Sequence, residues 1–238
     1  MEKIIEAKNL TKVYGEDGTS VTALNNVNLD FYENKFTAIM GQSGSGKSTL
    51  LHCLAGLDKV TSGSIFVKGV DLGSLNDKEL TKIRRDSFGF VFQAFNLIPT
   101  LTAEENITLP SSIAGRKPDE EWINQIVNTV DIGDRLNHRP NELSGGQQQR
   151  VAAARAMATK PEVIFADEPS GNLDYKSSKE FFKLLFNLRT KNRIIIYATH
   201  NRYFSNLADV MHALALVLIA KSLYLTESKK VRSLRLEF

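Results

Sequence analysis

Cysteine is nearly absent from this 238-residue sequence: Cys53 stands alone, which excludes a disulfide within the chain and a metal site built on several thiolates. A reducing compartment fits that usage. Long hydrophobic runs are missing too. The longest uninterrupted apolar stretch, Ala213 to Ala220, has eight residues, against the roughly 20 a helix needs to cross a bilayer, so no membrane span is expected. The opening Met1-Glu2-Lys3-Ile4-Ile5-Glu6 lacks a basic segment followed by an apolar run and a cleavage pattern, so no export signal is expected. Charge of one sign is not in excess: 30 Lys+Arg stand against 27 Asp+Glu, a difference of +3. Residues 221–238 hold five basic and two acidic side chains, so the rest of the chain carries 25 of each sign. A nucleic-acid partner is therefore not expected, because such domains concentrate a basic face. Internal repeats and low-complexity segments are also lacking. What is present is ordinary globular composition, 42% apolar and 24% charged, consistent with one domain and a substantial core.

Apolar and β-branched residues predict strands near residues 4–8, 21–31 and 36–40, with alternation at Val27, Leu29 and Phe31. Further strands are expected at 64–68, 88–92, 163–166 and 194–198; short and apolar on both faces, they suit a parallel sheet covered by helices. A helix through Leu50, Leu51, Leu54 and Ala55 should stop at Gly56. Between Phe92 and Val163 about seventy residues carry helix signals instead. Thr102 with Glu105 has capping-box spacing, Pro118-Asp-Glu-Glu121 opens another helix, and Ser144 precedes an Ala/Gln/Arg/Met run. This predicts a helical insertion in an α/β protein.

Two segments carry chemistry by themselves. Gly41-Gln42-Ser43-Gly44-Ser45-Gly46-Lys47-Ser48, followed by Thr49, has the P-loop pattern between an apolar strand and a helix. Its glycines let backbone N–H groups turn toward a phosphate, the helix start adds positive potential, Lys47 suits β- and γ-phosphates, and the Ser48 hydroxyl suits Mg²⁺. Val163-Ile-Phe-Ala-Asp167-Glu168 is an apolar strand ending in two carboxylates, which need a cation or a partner if buried. Asp167 is the candidate Mg²⁺ ligand and Glu168 the candidate general base for a water attacking a γ-phosphate.

Leu143-Ser144-Gly145-Gly146-Gln147, some twenty residues before Asp167, resembles the signature motif of ATP-binding-cassette (ABC) ATPases. Ser144 can cap the following helix, and Gly145 and Gly146 leave N–H groups uncovered at its positive end, a second phosphate cradle. The resemblance runs from about Lys8 to Asp209 and implies a P-loop NTPase fold of ABC-ATPase type, with a RecA-like core, an N-terminal antiparallel β part and a helical subdomain. On that pattern residues 1–93 and 151–227 form the β part and core, 94–150 the helical subdomain and 228–238 a basic tail. It also implies ATP and Mg²⁺ as cofactors. Tyr14 falls at the adenine-stacking position, Gln93 in the Q-loop with Mg²⁺ or water as its ligand, Asp174 in the D-loop, and His200 in the switch loop beside the γ-phosphate. Signature and P-loop from two copies would close over each ATP, so the implied partner is a second copy and the monomer should be nearly inactive. His52, His138, His212 and Cys53 have no companions in a metal or catalytic spacing and read as surface or packing residues.

The segments at 142–151, 166–174 and 91–107 are similar to the MacB/LolD/FtsE-like group. That resemblance implies a separate integral membrane permease, a place on the cytoplasmic face of the membrane, and export of an antimicrobial peptide, drug or lipoprotein. The alternative is a non-transport ABC ATPase acting in cell division or on soluble complexes; such proteins commonly carry tandem cassettes, coiled coils or zinc modules, whereas this chain has one P-loop and one cysteine. Phe95, Leu97, Ile98 and Leu101 could form a groove for a permease helix, or the core of the helical insertion. After Asp209 the sequence departs from the group: residues 210–220 run on without an Asp-Gly turn, as a long strand or a helix, and the basic tail beyond is solvated or rests on acidic lipid.

Overall fold

The computed structural model describes residues 2–15, 19–188 and 193–214. In chain order the elements are strands β1 (Lys3–Tyr14), β2 (Val21–Tyr32) and β3 (Phe36–Met40), helix α1 (Lys47–Leu54), strands β4 (Ser62–Val67) and β5 (Val70–Asp71), and helix α2 (Asp77–Ser87). They continue with β6 (Phe88–Val91), α3 (Ala103–Ile113), α4 (Glu120–Val130), α5 (Gly145–Met157), β7 (Val163–Asp167), α6 (Tyr175–Asn187), β8 (Ile194–Thr199), α7 (Arg202–Ser205) and β9 (Val210–Ala213).

Two sheets result. The first is antiparallel, ordered β2-β1-β4-β5; the second is parallel, ordered β6-β7-β8-β3-β9. The expected parallel strand at 64–68 is corrected: β4 pairs antiparallel with β1, Ile5 facing Val67 and Ala7 facing Ile65, because that sheet buries only one face. The parallel strands are apolar on both faces, and their side-chain period of two sorts residues between two cores. Val163, Phe165, Ile194, Ile196 and Ala198 point into a core shared with α1 and the antiparallel sheet. Ile164, Ala166, Ile195 and Tyr197 point into a core shared with α3 to α6.

The helical insertion forms as its caps predict. Thr102 and Glu105 make a reciprocal capping box at α3, Asp119 caps α4, and Ser144 with Gln147 makes a capping box at α5. Asn76 and Glu79 cap α2 in the same way, a signal the sequence reading passes over. Of the segment from Val210, the first four residues form β9, parallel to β3; the rest of the 210–220 run beyond Leu214, and the basic tail, lie outside the described residues.

Candidate functional site

Strand order decides where the chemistry meets. β6, β7, β8 and β3 are consecutive and parallel, so Gln93, Asp167–Glu168, His200 and Gly41 all leave the sheet at its carboxyl edge, where open α/β sheets bind ligands.

The loop after β3 is shaped by close approach. Gly46 has φ 88°, and a Cβ there would lie 2.4 Å from the Ala23 carbonyl oxygen; at Gly41 it would lie 2.3 Å from Ser45 Oγ. Gly46 is the N-cap of α1 and no side chain caps that helix, leaving its first N–H groups directed into the loop. Ser45 is buried and its hydroxyl has no protein partner. Lys47 is only 5% exposed; its ammonium donates to the Gly41 and Gln42 carbonyls, each at 2.9 Å, and lies 3.2 Å from Glu168 Oε1. Ser48 Oγ donates to Asp167 Oδ1 at 3.0 Å. Burial pushes the Asp167 carboxyl above its ordinary range, with the Ser48 hydrogen bond opposing, so this group gains from a cation at the spot where Ser48 also presents an oxygen. The donor set of one hydroxyl and one carboxylate, all oxygen, suits Mg²⁺.

Glu168 stands just past β7 in a left-handed conformation, φ 43°, uncommon for a side chain with a Cβ. Its N–H donates to the Ala198 carbonyl at 3.1 Å. One carboxylate oxygen faces Lys47; the other lies 2.9 Å from His200 Nδ1. The turn carrying His200 is pinned from below by the buried Tyr197 hydroxyl, which donates to the Phe204 carbonyl at 2.7 Å, and by Asn201, which caps α7. A carboxylate held between an ammonium and an imidazole can accept a proton from water and be reset by its neighbours.

Tyr14 ends β1. Its hydroxyl donates to Asp58 Oδ2 at 2.6 Å, and the Lys12 ammonium sits 4.7 Å from the ring centroid. The side chain remains 42% exposed, so aromatic surface is open to a flat ligand. Burial and the Asp58 hydrogen bond raise its hydroxyl pKa above the ordinary value.

The remaining candidates gather elsewhere. Ser144 Oγ accepts from Gln147 N–H at 3.3 Å while Gln147 Oε1 accepts from Ser144 N–H at 2.9 Å, so both side chains serve the start of α5. Leu143 packs into the core of the insertion. Asp174 caps α6, its carboxylate accepting from the Ser177 N–H at 3.0 Å and hydroxyl at 2.6 Å. A Cβ on Gly146 would lie 3.6 Å from Ser177 Oγ and one on Gly145 3.7 Å from the Asn172 carbonyl, so the starts of α5 and α6 adjoin. Gln93 is exposed; its side chain lies over Gly171, where a Cβ would come within 2.6 Å of Nε2, and its carbonyl accepts from Asn172 Nδ2 at 2.9 Å. Among the four apolar residues after Gln93, Leu97 packs on the insertion core and Ile98 is 38% exposed.

The fold therefore brings Gly41–Ser48, Asp167, Glu168 and His200 into one cluster but leaves Ser144–Gln147 in another. α5 packs chiefly on α3, α4, α6 and β6, whereas α1 packs on β1, β2, β7 and β8. Sequence reasoning missed Asp58 and Arg155, which have no motif spacing, and gave no role to Asn172, although it lies in the 166–174 segment.

A glycine-rich strand-loop-helix, a carboxylate pair and a histidine at the carboxyl edge of a parallel sheet are the make-up of a P-loop nucleotide-hydrolysing protein. Residues 24–171 match the ABC transporter family model. A solved dimeric, post-hydrolysis ATP-binding cassette of Methanocaldococcus jannaschii, bound to ADP and Pi, is 41% identical with a TM-score of 0.81, covering 90% of this chain and 97% of that one. The chain is also 42% identical over 214 residues to the lipoprotein-releasing system ATP-binding protein LolD of Psychrobacter arcticus, covering 88% of this chain and 94% of that protein. It is 44% identical over 200 residues to the macrolide export ATP-binding/permease protein MacB of Marinobacter nauticus, covering 83% of this chain and 31% of that protein. The chain belongs to the ABC transporter family. It is an ATPase of that family.

Proposed function

We propose that this chain is the ATP-hydrolysing subunit of an exporter, working as a dimer that drives a separate membrane permease from the cytoplasmic face. The observation that carries the reading is the separation of two glycine-bearing helix starts in different parts of one chain: α1 after Gly46, which no side chain caps, and α5 at Gly145, behind its Ser144–Gln147 capping box. Each is suited to phosphate, and one ATP can meet both only if the second comes from another copy. The relatives' names supply the export and permease setting. Among the described residues no helix is long and apolar enough to cross a membrane, which fits a partner that supplies the span.

In this reading the loop at Gly41–Ser48 and Thr49 receives the phosphates and Lys47 exchanges the Glu168 carboxylate for phosphate oxygens. Tyr14 stacks on adenine. Leu143–Gln147 of the second copy closes over the γ-phosphate, with Asp174 at the edge of that contact. Ser48, Asp167 and Gln93 would hold Mg²⁺, which supplies neutralisation of charge on the phosphate oxygens. Glu168 takes a proton from water as the water oxygen bonds to the γ-phosphorus, and the bond from that phosphorus to the β-bridging oxygen breaks with its electron pair leaving on ADP. His200 Nδ1 orients that carboxylate.

The test is to tag Glu168→Gln, solubilise native membranes in ATP and Mg²⁺, and identify what copurifies. A stoichiometric permease supports the reading. Ribosomal, repair or other soluble complexes without a membrane protein would overturn the transporter assignment and leave the ATPase chemistry standing.

A further inference from the structure

The turn that carries Gln93 into α3 is built unusually. Phe95 and Asn96 are consecutive left-handed residues, φ 59° and 51°. Asparagine tolerates that region and phenylalanine does not favour it, so something outside the turn must hold it. Upstream, Asn172 fixes the Gln93 carbonyl. Downstream, the buried Asn106 amide fixes the chain, Oδ1 accepting from Ile98 N–H at 2.8 Å and Nδ2 donating to the Ile98 carbonyl at 3.1 Å. Between these anchors stands Arg155 of α5. Its Nη2 donates to the Phe95 carbonyl at 2.7 Å and its Nη1 to the Asn96 carbonyl at 2.5 Å.

The two carbonyls are the hydrogen-bond acceptors of this guanidinium, and burial lowers its pKa from the ordinary value. A partly buried cation bound to main-chain oxygens is not a surface ion pair; its planar fork fits two adjacent carbonyls in a way an ammonium cannot. Helical side chains lean toward the N-terminus, so Arg155 reaches back along α5, while the Phe95 ring reaches forward to its first turn, where a Cβ on Gly145 would lie 3.8 Å from Phe95 Cζ. The turn is thereby hydrogen-bonded to α5 through Arg155, and its Phe95 ring lies beside the start of the same helix.

We infer that Arg155 is a positioning residue for ATP turnover, clamping the Phe95–Asn96 turn to the helix that starts at Ser144 so that Gln93 and this helix start keep one fixed relation. The inference rests on the proposed site role of Gln93. Arg155 touches no nucleotide position; it sets where Gln93 stands, and a misplacement on the order of 1 Å is enough to cost turnover heavily.

The experiment compares Arg155→Met and Arg155→Lys with the parent for steady-state ATP hydrolysis and for equilibrium binding of a fluorescent ATP analogue, with thermal midpoints recorded. The expected result is a kcat reduced at least about 10-fold in Arg155→Met, with a smaller loss in Arg155→Lys, and nucleotide affinity within about twofold of the parent. A purely architectural role would lower affinity in step with kcat, and that outcome, like parental kcat, overturns the inference. Should Arg155→Met not fold, Arg155→Lys decides by the same split. Gln93→Ala run alongside separates two failures. Parental turnover in Gln93→Ala overturns the assignment of Gln93 and this inference with it; reduced turnover there, with parental turnover in the Arg155 variants, overturns the clamp alone.

Discussion

The Lys47 ammonium and a Glu168 carboxylate oxygen lie 3.2 Å apart, with side chains only 5% and 12% exposed. The same carboxylate lies 2.9 Å from His200 through its other oxygen. A buried cation and a partly buried anion thus satisfy each other, which keeps both groups in position. Replacing Glu168 by Gln keeps the shape and removes the basic oxygen pair. Expected are retained ATP binding, turnover lowered by about 10²–10⁴-fold, and a dimer that persists in ATP, read by phosphate release and size-exclusion chromatography. Near-parental turnover would remove Glu168 as the base.

Tyr14 offers its ring to a flat ligand while Asp58 holds its hydroxyl at 2.6 Å. Tyr14→Ala should weaken ATP affinity by roughly 3–10-fold, the equivalent of about 0.5–1.5 kcal/mol of ring contact. Tyr14→Phe should bind almost as the parent does, because the ring remains. Calorimetry on both variants checks this, and equal losses would show that the Asp58 link matters more than the ring.

Gly89 in β6 faces α5 so closely that a Cβ would stand 2.1 Å from the Ala156 carbonyl oxygen. That neighbour is backbone within a helix and cannot rotate away. Gly89→Ala should therefore destabilise the protein by about 1–3 kcal/mol, visible as a lower urea midpoint at unchanged slope. An unchanged midpoint would mean that α5 is free to shift.

Asp174 accepts hydrogen bonds from the Ser177 hydroxyl and N–H, which hold its carboxyl below the ordinary value of 3.8. The unfolded chain therefore takes up this proton first as pH falls. The cap's contribution is complete above the unfolded value and fades as pH drops through the lower folded one. Asp174→Asn can still accept through its amide oxygen but does not titrate. Between pH 6 and pH 3 the wild type should lose stability relative to that variant in urea titrations; a difference that does not change with pH would contradict the assignment.

Much of this was legible along the chain. The Gly41–Ser48 spacing marks the strand-loop-helix unit, and the Ser144-x-x-Gln147 and Thr102-x-x-Glu105 spacings mark helix starts, because these features depend on neighbours within a few residues. The same spacing at Asn76 and Glu79 marks α2 as clearly, although only Leu80 and Ile83 of that helix pack on the core and none of its residues is fully buried. The strand at 64–68 shows the limit. Its apolar run does not say whether the partner is parallel or antiparallel, and only its place beside β1 settles that. Arg155 carries no local signature, and Asn172, although inside the 166–174 segment, is not marked there as a partner of Gln93, since each acts on a carbonyl many residues away in sequence.

The sequence by itself determined the kinds of chemistry available: glycines that permit a phosphate cradle, a lysine and a serine at its end, paired carboxylates closing an apolar strand, and a second glycine-rich helix start. Tertiary structure alone decided which of these meet. Ordering β6, β7, β8 and β3 side by side delivers Gln93, Glu168, His200 and Lys47 to one edge, and packing α5 on the insertion keeps Ser144 apart from Lys47. The reason is physical. Parallel strand pairing and helix packing depend on surfaces joined by long stretches of chain, and no local spacing encodes which strand lies beside which.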